Sequence, residues 1–246
     1  EAFASLFPQL PEDVAGHVYD SLPPEVKAFG RTRDLVMPGV MARGTSTQPR
    51  IVFWCGRGYE PWGPPSLNTT GIGGSETAVI EIAKRFARDG WLVDVYNEAE
   101  RFEGVYEGVG YWDPRRFRID EPCEVFVSWR QPQLGPEMRI GKQNVLWCHD
   151  LNYGPDPDNN FQKWGKVLGV SEWHRDMLRR YYVPFDLRHA SGYEVSFFLD
   201  RFDYVPNGID LSRFDRAIAK VPYRCVYASS ADRGLSTLLS IWPQIL

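Results

Sequence analysis

The chain has 246 residues, more than one average domain and fewer than the roughly 300–400 that two full doubly wound domains need. Hydrophobic residues make up 43% and charged residues 24%, which excludes a disordered tail, a collagen-like fibre and a coiled coil. With 28 basic and 32 acidic residues, the formal net charge of −4 gives no overall attraction to nucleic acid or to an anionic membrane. The sequence therefore predicts a globular protein without a nucleic-acid partner.

Two further patterns bear on the cellular setting. No run approaches the roughly 18 consecutive apolar residues of a transmembrane helix. This pattern does not exclude contact with a membrane surface. The four cysteines, Cys55, Cys123, Cys148 and Cys225, lie far apart without a CxxC pair, which favours reduced, packed thiols. Together these features predict a cytoplasmic protein.

The pattern along the chain predicts three parts. Residues 1–49, rich in proline and charge, are expected to be an N-terminal extension or the tail of an upstream domain. Residues 50–210 alternate β and α patterns, which predicts a Rossmann-like, doubly wound parallel sheet. Residues 211–246 are expected to be a linker and the truncated start of a second Rossmann-like domain. Because the chain begins with Glu1 and ends inside a predicted helix, we expect it to be part of a longer protein.

The elements follow from apolar periodicity and helix caps. Strands are predicted at residues 51–55, 91–96, 125–129, 144–148 and 166–170, with one more at 223–228. The clearest helix is expected to be capped by Ser75 and closed by Gly90. Ser171 is expected to cap another helix, which ends near Tyr182, and a last helix is expected from Gly234 onward.

A glycine-rich loop, Gly71-Ile72-Gly73-Gly74-Ser75-Glu76, precedes the clearest helix. Glycines let a ligand approach the backbone closely, and a helix N-terminus offers unpaired N–H groups to an anion. Glu76 stands where the dinucleotide fingerprint GxGxxG needs its last glycine, and the sequence contains no GxxxxGK(S/T). The loop is therefore neither a dinucleotide fingerprint nor a P-loop, and a plain connection into a capped helix is the alternative.

His149 and Asp150 follow the strand predicted at residues 144–148. Open α/β sheets bind ligands at the carboxyl ends of their strands, so both side chains are candidate functional groups. The alternative is structural, with His149 hydrogen-bonded to nearby backbone and Asp150 capping the next turn.

Three weaker signals complete the motifs. Asp156-Pro157-Asp158 is formally a DxD motif, but it lies in a polar loop rather than after an apolar strand, which argues against a metal–diphosphate site. Arg233 precedes the last predicted helix, where it could pair with a phosphate or bridge to Asp232. Most aromatic residues are expected to pack in the core, and a sugar-binding cleft could be lined by Trp54, Trp62 and Trp147.

Taken in order, the motifs resemble the retaining GT-B glycosyltransferases of the family-4 kind (glycosyl transferases group 1). The resemblance runs from about Ile51 to the end of the chain. The matching residues are Gly73-Gly74-Ser75-Glu76, Trp147-Cys148-His149-Asp150, Val170-Ser171-Glu172, Val205-Pro206-Asn207-Gly208-Ile209-Asp210 with Phe214, and Tyr227-Ala228-Ser229-Ser230 through Asp232-Arg233-Gly234-Leu235.

The resemblance implies transfer of a sugar from a nucleotide-diphospho-sugar to an acceptor hydroxyl, with retained anomeric configuration. It implies no cofactor beyond that co-substrate and no obligatory metal. His149 would contact the donor sugar as the catalytic residue, and Arg233 would neutralise the diphosphate leaving group. The amides of Gly73 and Gly74 would face the donor phosphates or the acceptor. The remaining candidates for the acceptor site or cleft are Ser75, Glu76, Asp150, Ser171 and Glu172.

Family members are thought to use the donor's own phosphate to accept the acceptor proton, so no protein general base is expected. The sequence also departs from the family pattern, because Arg233 stands alone where the family has an Arg and a Lys. The family's paired glutamates are expected beyond Leu246, so neither the donor nor the acceptor is predicted.

Two alternative functions remain. One is a non-catalytic α/β module that binds a glycan or a partner with a degenerate transferase fold. The other is a dehydrogenase or another nucleotide-dependent α/β enzyme.

Overall fold

The computed structural model describes residues 14, 17–18, 21–23, 47–58, 60–69, 71–119, 121–134, 140–156, 158–183, 199–211, 219–229 and 231–245. They fall into two compact units, Glu1–Asn207 and Gly208–Leu246. Most of the predicted N-terminal extension, Phe214 and Ser230 lie outside the described residues.

The first unit is an α/β fold with a mostly parallel sheet. Its described strands are β1 (Arg50–Gly56), β2 (Leu92–Asn97), β3 (Gly104–Tyr106), β4 (Val109–Trp112), β5 (Cys123–Trp129), β6 (Gly141–Trp147), β7 (Lys166–Gly169) and β8 (Phe202–Tyr204). Its described helices are α1 (Gly74–Arg88), α2 (Asn160–Lys163) and α3 (Glu172–Tyr182). The strands lie in the order β3-β4-β2-β1-β5-β6-β7-β8, and within this order only the β3–β4 pair is antiparallel. The α/β class and the parallel, Rossmann-like sheet expected from the sequence are thus confirmed.

Strand β1 shows why both faces of this sheet are covered. Ile51 and Phe53 point into one apolar cluster, which includes Val79 and Ala83 of α1. Val52 points into a second cluster on the opposite face, which includes Leu178 of α3. Successive side chains of a strand alternate between faces, so a wholly apolar strand needs a helix layer on each side.

Helix α1 begins earlier than the sequence suggested. Gly73, rather than Ser75, is the N-cap residue, and Ser75 lies inside the first turn, so the predicted cap is wrong. The Ser75 hydroxyl donates to the Glu76 carboxylate at 2.9 Å, which occupies the side chain that was expected to cap the helix. At the other end the prediction holds, because Gly90 follows the C-cap residue with a left-handed φ of 87°.

Helix α3 begins where the sequence predicted. Ser171 is its N-cap residue and accepts a hydrogen bond from the His174 N–H at 3.1 Å. The hairpin β3–β4 was not predicted. It turns at Glu107 and Gly108, both with positive φ, and its strands of three and four residues are too short for a periodicity signal.

The second unit is described by itself. Its helix α4 (Leu235–Ile245) agrees with the last predicted helix. The strand predicted at residues 223–228 is wrong, because this stretch has no strand structure and most of its side chains are exposed. A strand needs a hydrogen-bonded neighbour, and the described part of this unit contains no other strand.

None of the helices among the described residues is long and apolar enough to cross a membrane.

Candidate functional site

A cavity lies where the strand order reverses. After β1 the chain builds β2 to β4 on one side of it and then returns to place β5 on the other side. The carboxyl ends of β1 and β5 therefore form a topological switch point, the place where open α/β sheets bind ligands. The cavity there has a volume of about 340 Å³ and is lined by residues that follow β1, β5 and β6 and by the start of α1.

Gln131 ties the ends of β1 and β5 together. Its amide Nε2 donates to the Cys55 carbonyl at 2.9 Å, and its Oε1 accepts from the Trp54 indole N–H at 3.2 Å. Gly56 has a φ of 64°, and a Cβ at this position would overlap the Gln131 amide. The backbone conformation therefore favours a glycine at position 56, and a larger residue there would also displace the Gln131 side chain from its hydrogen bonds.

Arg130 joins two carboxylates at the cavity wall. Its Nε and Nη2 donate to the two oxygens of Asp150 at 2.5 and 2.8 Å, a bidentate pair. Its Nη1 lies 3.9 Å from Glu76 Oε1. Arg130 also has a φ of 63°, and such left-handed backbone in a non-glycine residue costs about 1 kcal/mol or more and clusters at functional sites.

The Glu76 carboxylate lies at the N-terminal end of α1. It is in the helix's first turn, and a Cβ at Gly73 would overlap its Oε2. An acidic side chain is stabilised at this end of a helix, where it takes the place that an anion would use. Contact of the Gly73 and Gly74 amides with the donor phosphates or the acceptor remains a prediction.

The loop that carries Asp150 is held at the backbone. The Asp150 N–H donates to the Tyr153 hydroxyl at 3.0 Å, and the His174 Nε2 lies 2.9 Å from the Asp150 carbonyl oxygen. The His174 Nδ1 accepts from the Val170 N–H at 3.2 Å, so the ring proton is assigned to Nε2, which donates to Asp150. Burial lowers the pKa of His174, in agreement with this neutral ring.

His149 packs beside the cavity and is not among its lining residues. Its ring centroid lies 4.5 Å from that of Trp147 and 6.2 Å from that of Trp129. Burial, aided by the nearby Arg130 charge, lowers the pKa of His149 to about 4, so the imidazole is neutral at neutral pH. Its Nε2 is buried without a partner among the described residues. Contact with a donor sugar remains a prediction for this residue.

The cavity is lined by several charged, hydrogen-bonding side chains. Three carboxylates (Glu60, Glu76, Asp150) and two guanidinium groups (Arg57, Arg130) line it. Trp62 and Trp129 also border the cavity, but both are packed in the apolar core and are only 3% and 5% exposed. The Arg130 guanidinium lies over the Trp129 ring, 4.9 Å from its centroid. Carboxylates accept hydrogen bonds from hydroxyl groups, so this lining suits a ligand that carries hydroxyl groups. Of the tryptophans proposed for a cleft, Trp62 lines this cavity, whereas Trp54 and Trp147 are not among its described lining.

The other predicted residues lie away from this cavity or act locally. Ser171 is used as the cap of α3, and Glu172 pairs on the surface with Arg175 at 3.1 Å. Asp156 accepts from the Asn160 and Phe161 N–H groups at 2.9 and 3.0 Å, and thus caps α2.

Arg233 belongs to the second unit. It is exposed, and its carbonyl accepts from the Tyr227 hydroxyl at 2.9 Å just before α4 begins. Pairing with a diphosphate remains a prediction for this residue.

Three residues of the site were missed in the sequence. Arg130 and Gln131 directly follow β5, so the strand-end rule that selected His149 and Asp150 would also have found them. His174 lies in α3, where it is buried and its Nε2 supports the Asp150 carbonyl. No local pattern predicts that contact, because it joins residues 24 positions apart.

Comparison with known proteins adds no assignment: no protein-family model matches the chain, and no match to a curated protein was found. Within the described ranges, no group of three or more His, Cys, Asp or Glu side chains is arranged to hold a metal ion.

Proposed function

We propose that this chain is the acceptor-side domain of a retaining GT-B glycosyltransferase, which moves a sugar from a nucleotide-diphospho-sugar to an acceptor hydroxyl. The observation that carries the proposal is the switch-point cavity with Asp150 and Glu76 on either side of Arg130. The order of the motifs along the sequence supports the same function.

In the proposed reaction the cavity binds the acceptor. Glu76 and Asp150 accept hydrogen bonds from its hydroxyl groups, and Arg130 holds both carboxylates in place. The diphosphate leaving group is proposed to pair with Arg233, so that charge developing in the transition state is stabilised.

A transfer assay with the natural full-length protein tests the proposal. A panel of nucleotide-diphospho-sugars is incubated with hydroxyl acceptors, and release of the nucleoside diphosphate is measured together with the anomeric configuration of the product. We expect Asp150→Asn and Glu76→Gln each to lower kcat/KM about tenfold or more, because each removes a charged hydrogen-bond acceptor. Glu107→Gln, an exposed carboxylate outside the cavity, is the matched control and keeps wild-type activity.

Two outcomes contradict the proposal. The first is no transfer and no donor hydrolysis by the wild type across the panel. The second is full activity in both cavity variants. Saccharide binding without any turnover would instead favour the non-catalytic glycan-binding module.

A further inference from the structure

A second depression begins one residue beyond the cavity. Asp150 lines the cavity, and the next residue, Leu151, lines a groove of about 640 Å³. One side of the groove is formed by helix α3, and the other side by Leu151, Asn152, residues 154–156 and Asn159. The two depressions therefore share one stretch of backbone.

An aromatic stripe of α3 faces the groove. Trp173, Met177 and Tyr181 recur at intervals of four residues and all line it. Trp173 is 64% exposed and Tyr181 is 70% exposed, whereas Met177 is 9% exposed. Large aromatic side chains held open to solvent along a concave surface are typical of a binding site.

The floor of the groove is firmly held. The Tyr182 ring stacks on Phe161, with centroids 3.9 Å apart and planes at 11°. The Tyr182 hydroxyl accepts from the Tyr153 N–H at 2.8 Å, and the Tyr153 hydroxyl accepts from the His149 and Asp150 N–H groups. Tyr153 thus connects the groove floor to the Asp150 loop, so the groove and the cavity keep a defined separation.

The polar side chains that line the groove are almost all uncharged, which favours a neutral ligand. Among its described lining residues, Asp156 is the single charged side chain, and it is engaged in capping α2. Asn152 accepts from the Gly154 N–H through Oδ1, and Asn159 accepts from Gln162 through Oδ1, which leaves both amide NH₂ groups as donors for a ligand. A phosphate or an anionic lipid surface is attracted by Lys and Arg, which the described lining lacks.

The size of the groove argues for a small ligand over a protein. A volume of about 640 Å³ lies within the roughly 300–1,000 Å³ of small-molecule sites. A stable protein interface needs about 800 Å² on each partner, usually over a flatter surface.

We propose that the groove binds a neutral saccharide through stacking on Trp173 and Tyr181 and hydrogen bonds to Asn152 and Asn159. This inference rests on the proposed function, and it implies that the acceptor is an oligosaccharide. Its reacting unit occupies the cavity beside Asp150, and the adjoining units occupy the groove.

Binding of neutral tetrasaccharides to the 246-residue chain tests the inference. Maltotetraose, cellotetraose, chitotetraose and mannotetraose are titrated by calorimetry, each beside its monosaccharide. We expect at least one tetrasaccharide to bind the wild type more tightly than its monosaccharide. We expect Trp173→Ala and Tyr181→Ala each to weaken that binding about tenfold and to leave the monosaccharide unaffected. Tyr223→Ala, a 97% exposed aromatic of the second unit, is the matched control and binds as the wild type does.

Three results overturn the inference. The first is that no tetrasaccharide binds. The second is that a tetrasaccharide binds equally well to the wild type and to both groove variants. The third is that phosphatidylglycerol vesicles or a protein, and not a saccharide, bind in a way that depends on Trp173. Both groove side chains are exposed, so circular dichroism of the variants is expected to match that of the wild type. Failure of the proposed function is distinguishable, because it leaves tetrasaccharide binding intact while turnover is absent. Failure of the groove alone leaves turnover by the wild type intact, while Trp173→Ala turns over tetrasaccharide acceptors at the wild-type rate.

Discussion

Two charged clusters lie at opposite ends of the sheet and have opposite surroundings. At the amino end, Arg50 pairs with Asp94 at 3.0 Å and with Glu121 at 2.9 Å, and the first two side chains are only 13% and 5% exposed. At the carboxyl end, Arg130 pairs with Asp150, and these side chains are 31% and 38% exposed. The same residue types thus form a closed network at one end and an open one at the other.

The difference lies in what completes the hydrogen bonds. Asp94 receives bonds from the Arg50 Nε at 3.1 Å and from the Trp112 indole N–H at 2.9 Å, and the Arg50 backbone N–H donates to Glu124. Buried charges require such partners, because water cannot reach them. The carboxyl-end cluster lines a cavity, so a ligand or water can complete its hydrogen bonds. An arginine–carboxylate pair therefore indicates a functional site only where it borders an accessible cavity.

The largest expected loss of stability comes from a substitution in the buried cluster around Arg50. Asp94→Asn leaves the Arg50 guanidinium buried with a weaker partner, and we expect a loss of about 4 kcal/mol in the free energy of unfolding. Urea denaturation measures this loss, while saccharide binding by the folded fraction stays at the wild-type level. A loss below about 1 kcal/mol would show that the cluster is not sealed from water.

The next effect concerns the neutral histidine beside the open cluster. The folded-state pKa of His149 is about 4, below its ordinary value of 6.5, so the unfolded chain binds more protons between these two pH values. Stability is therefore lost as pH falls from 6.5 to 4, by about 3 kcal/mol for this group. We expect His149→Phe to remove that part of the pH dependence in urea denaturation at pH 4.5 and 7. An NMR titration in which the His149 ring protonates near pH 6.5 would contradict the lowered pKa and the stability change expected from it.

A smaller effect on stability is expected in the open cluster. Arg130→Met removes a partly exposed pair, and we expect it to cost about 1 kcal/mol in unfolding free energy. Acceptor binding should fall more strongly, because Asp150 and Glu76 lose the group that holds them. Calorimetry and urea denaturation of the same sample separate the two effects. A stability loss as large as that of Asp94→Asn would erase the distinction between the clusters.

The smallest effect on stability is expected from an exposed carboxylate with two loosely spaced basic neighbours. The Glu107 carboxylate is 57% exposed and lies 3.6 and 3.7 Å from Lys84 and Arg88. We expect Glu107→Gln to change the free energy of unfolding by less than about 0.5 kcal/mol, because water screens such pairs. The melting temperature at low and high salt checks this; a larger, salt-insensitive loss would mean that the pair is buried in solution.

How much of the site was predictable depended on where each signal lies in the chain. Asp150 was found because it directly follows an apolar strand, and Glu76 because it lies in a glycine-rich loop before an amphipathic helix. Arg130 follows β5 in the same way and was overlooked. By contrast, the ion pair between Arg130 and Asp150 joins two strand ends that meet only in the folded sheet.

The sequence by itself determined the elements whose signals are local. β1, β2, β5, β6, β7, α1 and α3 follow from apolar runs, amphipathic periodicity and terminal residues such as Ser171 and Gly90. Only the tertiary structure decided which strands become neighbours, that residues 223–228 form no strand, and that Gly73 replaces Ser75 as the cap of α1. It also decided that one arginine–carboxylate cluster is sealed while the other borders a cavity. The physical reason is that pairing, burial and access to water depend on residues far apart in the chain, and a local pattern carries no information about them.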